Sequence, residues 1–417
     1  MNDSRNRLQS GLLARGMKVM PVVVVTGARQ TGKTTLVRDL HGDPGRRYLT
    51  LDRMEILEQA RSHPESLVLE TPLTLDEVQR EPDLLLAIKH RVDENRKPGM
   101  FLVTGSANLS LMNRVSESLA GRALHLELPP FCPREWASEE AHALAPLDRL
   151  FQEGFKPKEW PASKGDWHPW LLRGGFPPAL RMESGEDREL WFSGYVQTYL
   201  ERDLRDLARI ADLAPFQRLM RLAAQRTGKL LNQSDLARDM ELPQATAHRY
   251  LNLLETGYQI TRLPVYATNP VTSLVKAKKL FWNDCGLAAW LAEIGSEKDV
   301  SQRFEGGHWL EQAIYQTLQT WKSLDPIKRR IYYWRNRQGR EVDFILEHQG
   351  RIVALEIKSA ASVGPRDTEG LLAFREALGK KKGLVRFIVL YGGQEPRELG
   401  EDCLALPWGW MFPDMGN

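Results

Sequence analysis

The segment GARQTGKTT, residues 27–35, carries the residue types that hold a nucleotide phosphate. It fits the spacing G-x-x-x-x-G-K-[ST] at every fixed position, through Gly27, Gly32, Lys33 and Thr34. The glycines let backbone N–H groups face the phosphates, Lys33 would neutralise the β- and γ-phosphates, and the Thr34 hydroxyl would ligate Mg²⁺. The sequence therefore predicts an ATP or GTP site. Its predicted nucleotide-binding residues are Gly27, Ala28, Arg29, Gln30, Thr31, Gly32, Lys33, Thr34 and Thr35.

Two adjacent acids close the next apolar segment, PLTLDE at residues 72–77. Asp76 would hold the magnesium through water, and Glu77 would polarise the attacking water. A simple phosphoryl-transfer kinase has less need of a water-activating glutamate, so the pair favours hydrolysis. The alternative is that both acids only cap the helix that follows.

A third apolar segment, residues 100–104, is followed by further polar side chains. Ser106 is the first candidate to hold the lytic water or touch the γ-phosphate, and Asn108 is the second. Arg122 ends a predicted helix just before the next strand, residues 123–128. An arginine there would reach the γ-phosphate of a neighbouring subunit as an arginine finger and stabilise the spreading charge.

These side chains need a sheet to bring them to one edge. Residues 22–25 are consecutive valines, a run typical of a strand buried on both faces of a parallel sheet. Residues 34–40 have the pattern of the helix that follows a phosphate-binding loop. This strand–loop–helix setting predicts an α/β core with a parallel sheet.

Four motifs, GARQTGKTT, LDEVQ, TGSAN and SLAGR, resemble in their order and spacing the AAA+-type ATPases of one prokaryotic family. GGFP at residues 174–177 and YLERD at residues 199–203 match as well, so the resemblance covers nearly the whole chain. It implies a helical lid, rings of subunits (often six) with Arg122 acting in trans, and a C-terminal region of unassigned role. It also implies that residues 173–177 sense the nucleotide, the alternative being an ordinary turn.

Residues 233–269 have the outline of a winged helix-turn-helix. Ser234 would cap a short helix, and residues 244–255 would form a second helix with one apolar face. Residues 258–266 and 279–282 would form the strands of the wing. The apolar face comprises Ala247, Tyr250, Leu251 and Leu254, and the outward candidates for DNA contact are Gln244, Thr246, His248, Arg249 and Asn252. The alternative is a winged helix that only packs or relays the nucleotide state.

The C-terminal part carries a second group of chemically active residues. Glu356 and Lys358 are two apart on a predicted strand, so they share a face, and Asp343 lies on the strand before it. Together with Glu311 on an upstream helix, Asp343 and Glu356 would ligate Mg²⁺ for phosphodiester cleavage, and Lys358 would position or deprotonate the water. The arrangement resembles the PD-(D/E)xK nuclease fold, although Val342 stands where that family has proline. The alternatives are a binding module of the same fold, or a hairpin with a charged, solvated face.

Residues 321–340 lead into this group with seven Lys or Arg side chains and one acid, Asp325. Trp321, Tyr332, Tyr333 and Trp334 are interleaved with them. Such a mixture suits nucleic acid, and it also suits a solvated face beside a strand.

Length and composition bound the remaining possibilities. The chain has 417 residues and a net charge of +3, and its apolar runs fall short of the about 18–20 residues of a membrane span. Three scattered cysteines and the lack of a leader-like start favour a cytoplasmic protein without disulfides. The predicted domains are a P-loop AAA+ core (1–130), a helical lid (131–212), a winged helix-turn-helix (213–285) and a restriction-endonuclease-like α/β domain (286–417).

The leading prediction is an AAA+ ATPase that uses ATP and Mg²⁺ and acts on DNA, translocating on it or remodelling branched or duplex DNA as a ring of identical subunits. One alternative is a slow signalling switch whose C-terminal module is not catalytic. Another is a DNA nuclease regulated by ATP.

Overall fold

The computed structural model describes residues 5–39, 45–105, 118–137, 140, 142–162, 164–200, 213–267, 276–302, 306–379, 385–400 and 403–414. The chain groups into two compact units. Unit 1 comprises residues 1–130, 194–211 and 253–259, and unit 2 comprises residues 131–193, 212–252 and 260–417. The four predicted domains remain a prediction beside this grouping.

The described helices are numbered in chain order. They are Ser10–Val19 (α1), Lys33–Asp39 (α2), Met54–Ser62 (α3), Pro64–Leu67 (α4), Leu84–Glu94 (α5), Pro133–Ala137 (α6), Ala145–Arg149 (α7), His168–Arg173 (α8), Pro177–Leu180 (α9), Gly185–Tyr195 (α10), Ala214–Gln225 (α11), Gln233–Asp239 (α12), Gln244–Thr256 (α13), Cys285–Leu291 (α14), Glu297–Gln302 (α15), Gly306–Ser323 (α16) and Glu369–Leu378 (α17).

Unit 1 is built on five parallel strands. They are Val22–Thr26 (β1), Arg47–Thr50 (β2), Leu73–Asp76 (β3), Phe101–Thr104 (β4) and Ala123–Glu127 (β5), in the order β2-β3-β4-β1-β5. Val22 and Val24 lie in the hydrophobic cluster that α3 and α5 cover, whereas Val23 and Val25 lie in the cluster of α1 and α2. Since successive side chains of a strand alternate between faces, the valine run buries both faces, which confirms the predicted parallel α/β core.

Unit 2 contains a two-stranded and a six-stranded sheet. Ile260–Leu263 (β6) and Lys279–Trp282 (β7) form an antiparallel pair. The larger sheet comprises Arg329–Arg335 (β8), Glu341–His348 (β9), Arg351–Ile357 (β10), Val385–Tyr391 (β11), Arg397–Glu398 (β12) and Cys403–Pro407 (β13), in the order β12-β13-β11-β10-β9-β8. β8, β9 and β10 are antiparallel neighbours, and β10, β11 and β13 are parallel. The predicted hairpin of β9 and β10 is confirmed, and α17 covers one face of this mixed sheet.

The two helices predicted between residues 233 and 255 are present as α12 and α13, with one correction, and a winged helix-turn-helix stays a prediction. The apolar face of α13 is confirmed, because Ala247, Tyr250, Leu251 and Leu254 are buried. The predicted cap of α12 is wrong by two residues. The Asn232 side chain, rather than Ser234, caps the helix, and it accepts hydrogen bonds from the backbone nitrogens of residues 234 and 235 at 3.0 and 3.2 Å.

The aromatic residues before the second site belong to the interior. Trp321, Tyr333 and Trp334 are buried, and the Arg329 guanidinium lies over the Trp321 ring at 4.9 Å. These three rings are therefore not available for stacking on nucleic-acid bases, and a nucleic-acid contact by the basic side chains of residues 321–340 stays a prediction. Trp321 lies on α16, and Tyr333 and Trp334 are successive residues of β8 that are both buried, so the charges around them in the sequence do not mark an exposed aromatic surface.

Among the described residues, no helix combines the length and the apolar character that a membrane crossing requires. Cys132, Cys285 and Cys403 are buried free thiols.

Candidate functional sites

The phosphate-binding loop connects β1 to α2, as the sequence predicts. At Gly27, whose φ is 150°, an added Cβ would lie 2.4 Å from the backbone oxygen of Leu128, so only glycine fits. Arg7 links the loop to the segment after β5, because its guanidinium donates to the backbone oxygens of Thr31 and Pro129, each at 2.7 Å. The Lys33 ammonium donates to the carbonyls of residues 27 and 28 at 3.2 and 2.8 Å. The loop is thus held in shape by its own contacts.

Asp76, at the carboxyl end of β3, is surrounded by hydroxyl donors. The Thr34 hydroxyl donates to its Oδ2 at 3.0 Å and the Tyr48 hydroxyl to the same atom at 2.6 Å, while the Thr104 hydroxyl donates to Oδ1. Burial, and then the neighbouring Asp76, raises the pKa of Tyr48 to about 12. Thr34 and Asp76, the residues predicted for Mg²⁺, therefore lie side by side and offer the oxygen ligands that this ion prefers.

Glu77 follows in a left-handed backbone conformation, with φ 61° and ψ 41°. For a residue with a Cβ this conformation costs roughly 1–2 kcal/mol, and such strained residues are characteristic of functional sites. Its backbone nitrogen donates to the Thr104 hydroxyl at 3.3 Å, and its carboxylate accepts from the Gln79 side-chain amide. Within the described residues, the Glu77 side chain makes no capping hydrogen bond to the short 3-10 helix Val78–Arg80, which weakens the capping alternative.

Thr104 and Tyr48 were missed by sequence reasoning. Thr104 ends β4, the strand between β1 and β3, so its hydroxyl meets both Asp76 and the Glu77 backbone. A polar residue at the carboxyl end of an otherwise apolar strand is the signal that would have found it. The two residues that were chosen for this strand's tip, Ser106 and Asn108, lie outside the described residues, as does the Glu201–Asp203 part of the YLERD motif.

Arg122 lies just before β5, at the amino edge of the sheet, where its carbonyl accepts from the Val22 backbone nitrogen at 3.2 Å. The phosphate-binding loop leaves the opposite, carboxyl edge. Arg122 forms a two-point ion pair with Asp93, at 2.6 and 2.9 Å. The hydrogen bond from Arg122 lowers the pKa of the Asp93 carboxyl. Its action as a finger on a neighbouring subunit stays a prediction.

Two tyrosines beyond the sheet contact the nucleotide loop and its strand, and neither contact was predicted from the sequence. The Tyr258 hydroxyl, two residues after α13, shares a 2.8 Å hydrogen bond with the hydroxyl of Thr26, the last residue of β1. The Tyr195 hydroxyl donates to the Arg29 carbonyl at 3.4 Å, and the Gln259 amide donates to that tyrosine at 3.2 Å. Burial, and then Glu127, raises the pKa of Tyr258 to about 12, so this contact is uncharged. The turn after α13 therefore touches the strand that carries the phosphate-binding loop.

The outward face of α13 is only partly free. Gln244, His248 and Arg249 are exposed, whereas Thr246 and Asn252 are half-buried. The Asn252 side-chain oxygen accepts from the Arg262 guanidinium at 2.7 Å. Of the predicted DNA contacts, Gln244 and Arg249 are thus the most available.

The segment GGFP packs on a buried carboxylate. Asp284 accepts from the backbone nitrogens of Gly175 and Leu287 at 2.6 and 2.7 Å. Burial raises the pKa of Asp284 to about 6, against the lowering effect of these N–H donors. At Gly174, with φ 70°, an added Cβ would lie 2.4 Å from the Asp284 carboxylate. These glycines therefore have a packing role in unit 2, and nucleotide sensing by residues 173–177 stays a prediction.

The second candidate site brings together the four residues predicted from the C-terminal sequence. Glu311 projects from α16, Asp343 from β9 and Glu356 from β10. Asp343 accepts from the Ile357 backbone nitrogen at 2.8 Å, and the Lys358 ammonium donates to Glu356 at 2.8 Å.

Lys279, the first residue of β7, lies among these carboxylates and was not foreseen. Its ammonium is 2.5 Å from Glu341, 3.1 Å from Glu311 and 3.4 Å from Asp343, and the residue is 2% exposed. Burial alone would lower the pKa of Lys279, but Glu311, Asp343 and Glu341 raise it well above its ordinary value. The three carboxylates thus favour the charged form of this buried lysine.

The carboxylates share this one cation unequally. Burial, and then Glu311 and Glu356, raises the pKa of Asp343 well above its ordinary value. Burial also raises the pKa of Glu356, against the opposing effect of Lys358. For Glu311 burial acts upward too, but Lys279 and His308 outweigh it and lower the pKa.

The residues at this site do not fit a metal ion. In the part of the chain that the structure describes, no group of three or more His, Cys, Asp or Glu side chains is arranged to hold one. Glu311, Asp343 and Glu356 were the predicted ligands, yet the space that the first two face holds the Lys279 ammonium.

Comparison with known proteins divides the chain into three matched regions. Residues 20–137 match the AAA domain, residues 164–298 match domain of unknown function DUF8612, and residues 306–411 match domain of unknown function DUF4143. The uncharacterized proteins Rv2008c of Mycobacterium tuberculosis and Mb2031c of Mycobacterium bovis are each 31% identical over 398 residues, which span 95% of this chain and 82% of theirs.

Two solved structures are similar at low identity. The Walker-type ATPase PABY2304 of Pyrococcus abyssi is 16% identical, with 70% of this chain and 99% of that chain covered and a TM-score of 0.43. A STAND protein with a tetratricopeptide repeat sensor from Pyrococcus horikoshii is 11% identical, with 78% and 50% covered and a TM-score of 0.26. With TM-scores this low, neither likeness bears on function.

Proposed function

This chain belongs to the family of the two mycobacterial proteins and carries an AAA ATPase domain, and we propose that it hydrolyses ATP to act on DNA. It would translocate on duplex DNA or remodel branched DNA as a ring of identical subunits. The observation that carries the proposal is the contact between the turn after α13 and the end of β1, because it joins a helix with exposed Gln and Arg side chains to the nucleotide loop.

In the hydrolytic step each residue of the loop has a separate task. Lys33 would exchange the carbonyls of residues 27 and 28 for phosphate oxygens, and Glu77 would orient the attacking water and take its proton. Mg²⁺, when bound, supplies charge neutralisation at the phosphates, and Thr34 and Asp76 would hold it. Thr104 would position both acids through its two hydrogen bonds.

DNA would be read by the exposed side of α13. Gln, Arg and Asn side chains form the paired hydrogen bonds that distinguish base edges, and Gln244 and Arg249 are exposed, the latter with its guanidinium 5.6 Å from the centre of the Tyr250 ring. Thr246 and Asn252 complete the proposed surface, although Asn252 would have to leave Arg262. Because Tyr258 follows the same helix, ATP binding at the loop would alter the DNA affinity, and DNA would alter the ATP affinity by the same factor.

The test is DNA affinity measured by fluorescence anisotropy with duplex and branched oligonucleotides. Gln244→Ala and Arg249→Ala should each weaken binding by about 1–3 kcal/mol, roughly 5- to 150-fold, if they contact bases. The matched control is Arg366→Ala, which removes an exposed arginine of unit 2 that has no place in the proposed surface. Affinity that falls as much in Arg366→Ala as in Arg249→Ala would indicate a general charge effect, and unchanged affinity in Gln244→Ala and Arg249→Ala would refute the proposed surface.

A second function is favoured by the ion pair of Arg122. In each subunit Asp93 already holds the proposed finger at two points, so hydrolysis in a ring would require that pair to open. A slow switch, in which assembly opens the pair, would use this arrangement directly. An ATP turnover rate per subunit that rises with protein concentration and does not change when DNA is added would favour the switch over the motor.

A further inference from the structure

Lys279, the buried cation of the second site, lies on the β6–β7 strand pair, whereas the carboxylates around it lie on other elements. Lys279 begins β7, which pairs only with β6 and, through a bridge, with Leu230 among the described residues. The carboxylates belong to α16 and the mixed sheet. The lysine therefore joins two parts of unit 2.

The strand pair that delivers the lysine is held at several points, β7 by α16 and the segment after β6 by β8. Gln312 of α16 accepts from the Trp282 backbone nitrogen at 2.9 Å and donates to its carbonyl at 2.8 Å. The Tyr333 backbone of β8 donates to the Pro264 carbonyl at 3.1 Å and accepts from the Tyr266 nitrogen at 2.6 Å. Lys279 thus reaches the carboxylates from a rigid support, and its position does not depend on a flexible surface chain.

Three of the four carboxylates around this site are already engaged by cations, whereas Glu356 pairs with Lys358 through Oε1 and keeps a buried Oε2 without a hydrogen-bond partner among the described residues. Glu311 is held by Lys279, and Glu341 is held by both Lys279 and Arg335, the latter at 3.2 Å. Asp343 receives Lys279 on one oxygen and the Ile357 backbone nitrogen on the other. Glu311 is 8% exposed and Asp343 is 9% exposed, so neither is open to a phosphodiester.

We propose that the Lys279 ammonium stands permanently where a nuclease-like domain would hold its divalent cation. The domain formed by residues 286–417 therefore cleaves no phosphodiester and uses the former metal site to dock the β6–β7 sheet. This replaces the predicted catalytic role of Lys358, whose ammonium instead pairs with Glu356. The inference goes beyond the proposed ATPase function and does not depend on it, because the ATP site shares none of these residues.

The first test counts Mn²⁺ bound to the full-length, nucleotide-free protein by electron paramagnetic resonance. A Thr34→Val background removes the hydroxyl ligand of the ATP site and weakens that site, and the Asp343 and Glu356 variants then show whether a remaining signal comes from the second site. The expected result is no tightly bound Mn²⁺ that depends on Asp343 or Glu356. A site that survives in this background, and that Asp343→Asn or Glu356→Gln abolishes, would overturn the proposal.

The second test removes the lysine itself. Lys279→Met leaves the carboxylates without their cation, so the variant should bind Mn²⁺ at least tenfold more tightly than its parent. All twelve tryptophans lie in unit 2, so their fluorescence reports whether that unit is folded. A folded Lys279→Met protein with no gain in Mn²⁺ affinity would show that the lysine does not stand in for a metal. If this variant does not fold, the count in the Thr34→Val background decides alone.

Discussion

Replacement of Glu77 separates the strain of its backbone from the chemistry of its carboxylate. The residue is held at φ 61° between β3 and the 3-10 helix, a left-handed conformation that glycine adopts without strain and alanine does not. Glu77→Gly and Glu77→Ala both remove the carboxylate and its hydrogen bond to Gln79. Only the glycine variant also relieves the backbone, so the comparison of the two isolates the strain.

The expected difference follows from two opposing effects. A residue with a Cβ in the left-handed region costs roughly 1–2 kcal/mol, whereas glycine loses about 0.5–1 kcal/mol more conformational entropy on folding. Glu77→Gly should therefore be more stable than Glu77→Ala by about 1 kcal/mol. In a domain of the size of unit 1 this corresponds to a melting temperature about 2–4 °C higher.

Turnover should behave differently from stability. If Glu77 activates the attacking water, both variants should lose about 10²–10⁴-fold in ATP hydrolysis, which is the typical contribution of a general base. Glu77→Gln, which keeps the shape of the side chain and a bond to Gln79, should lose the same activity.

Differential scanning calorimetry measures the stability, and the transition of unit 1 is the one that ATP shifts upward, since a ligand stabilises the state that binds it. An alanine variant as stable as the glycine variant would refute the strain argument. Hydrolysis at the wild-type rate by Glu77→Gln would refute the role of the carboxylate.

Three further predictions follow from the buried charges and the ion pair. Lys279→Met should lower the free energy of unfolding of unit 2 by about 3–5 kcal/mol, because it leaves buried carboxylates without their cation. Urea unfolding followed by tryptophan fluorescence measures this loss. Adding Glu311→Gln should recover part of it, and a double variant that shows the sum of the two single losses would contradict the reasoning. Burial raises the pKa of the Asp284 carboxyl to about 6. The stability that its neutral form contributes is therefore present below about pH 4 and is lost as the pH rises through 6, by up to about 1.4 kcal/mol per pH unit. Asp284→Asn should remove this pH dependence of the free energy of unfolding, and an unchanged dependence would refute the assignment. Arg122→Ala and Glu77→Gln subunits should each be inactive alone but regain ATP hydrolysis when mixed, because the first offers an intact site and the second an intact finger; mixtures without activity would contradict action in trans.

The local parts of the structure were predictable from the sequence. The valine run, the phosphate-binding loop and the helix after it form one continuous segment, so their pattern determines strand, turn and helix without distant partners. The apolar face of α13 was predictable for the same reason, because its residues repeat with the helical period. The hairpin of β9 and β10 likewise needed only neighbouring residues.

The residues that were missed act through long-range contacts. Lys279 lies 64 positions from Asp343, and Tyr258 lies 232 positions from Thr26. A lysine at the start of an apolar strand gives no sign of burial, since an isolated lysine is nearly always exposed. The burial of Trp321 on α16 and of Tyr333 on β8 was missed because burial depends on which distant elements cover a helix or a strand, and a count of charges near aromatic residues does not reveal this.

ATP hydrolysis with and without DNA tests the central claim most directly. Steady-state turnover of the purified protein is measured without nucleic acid and with single-stranded, duplex and four-way-branched DNA, with Lys33→Ala as the inactive control. The account predicts that one DNA form stimulates turnover at least tenfold, which corresponds to about 1.4 kcal/mol in the barrier. A slow rate that is the same with every DNA form would contradict action on DNA and leave the switch as the better description.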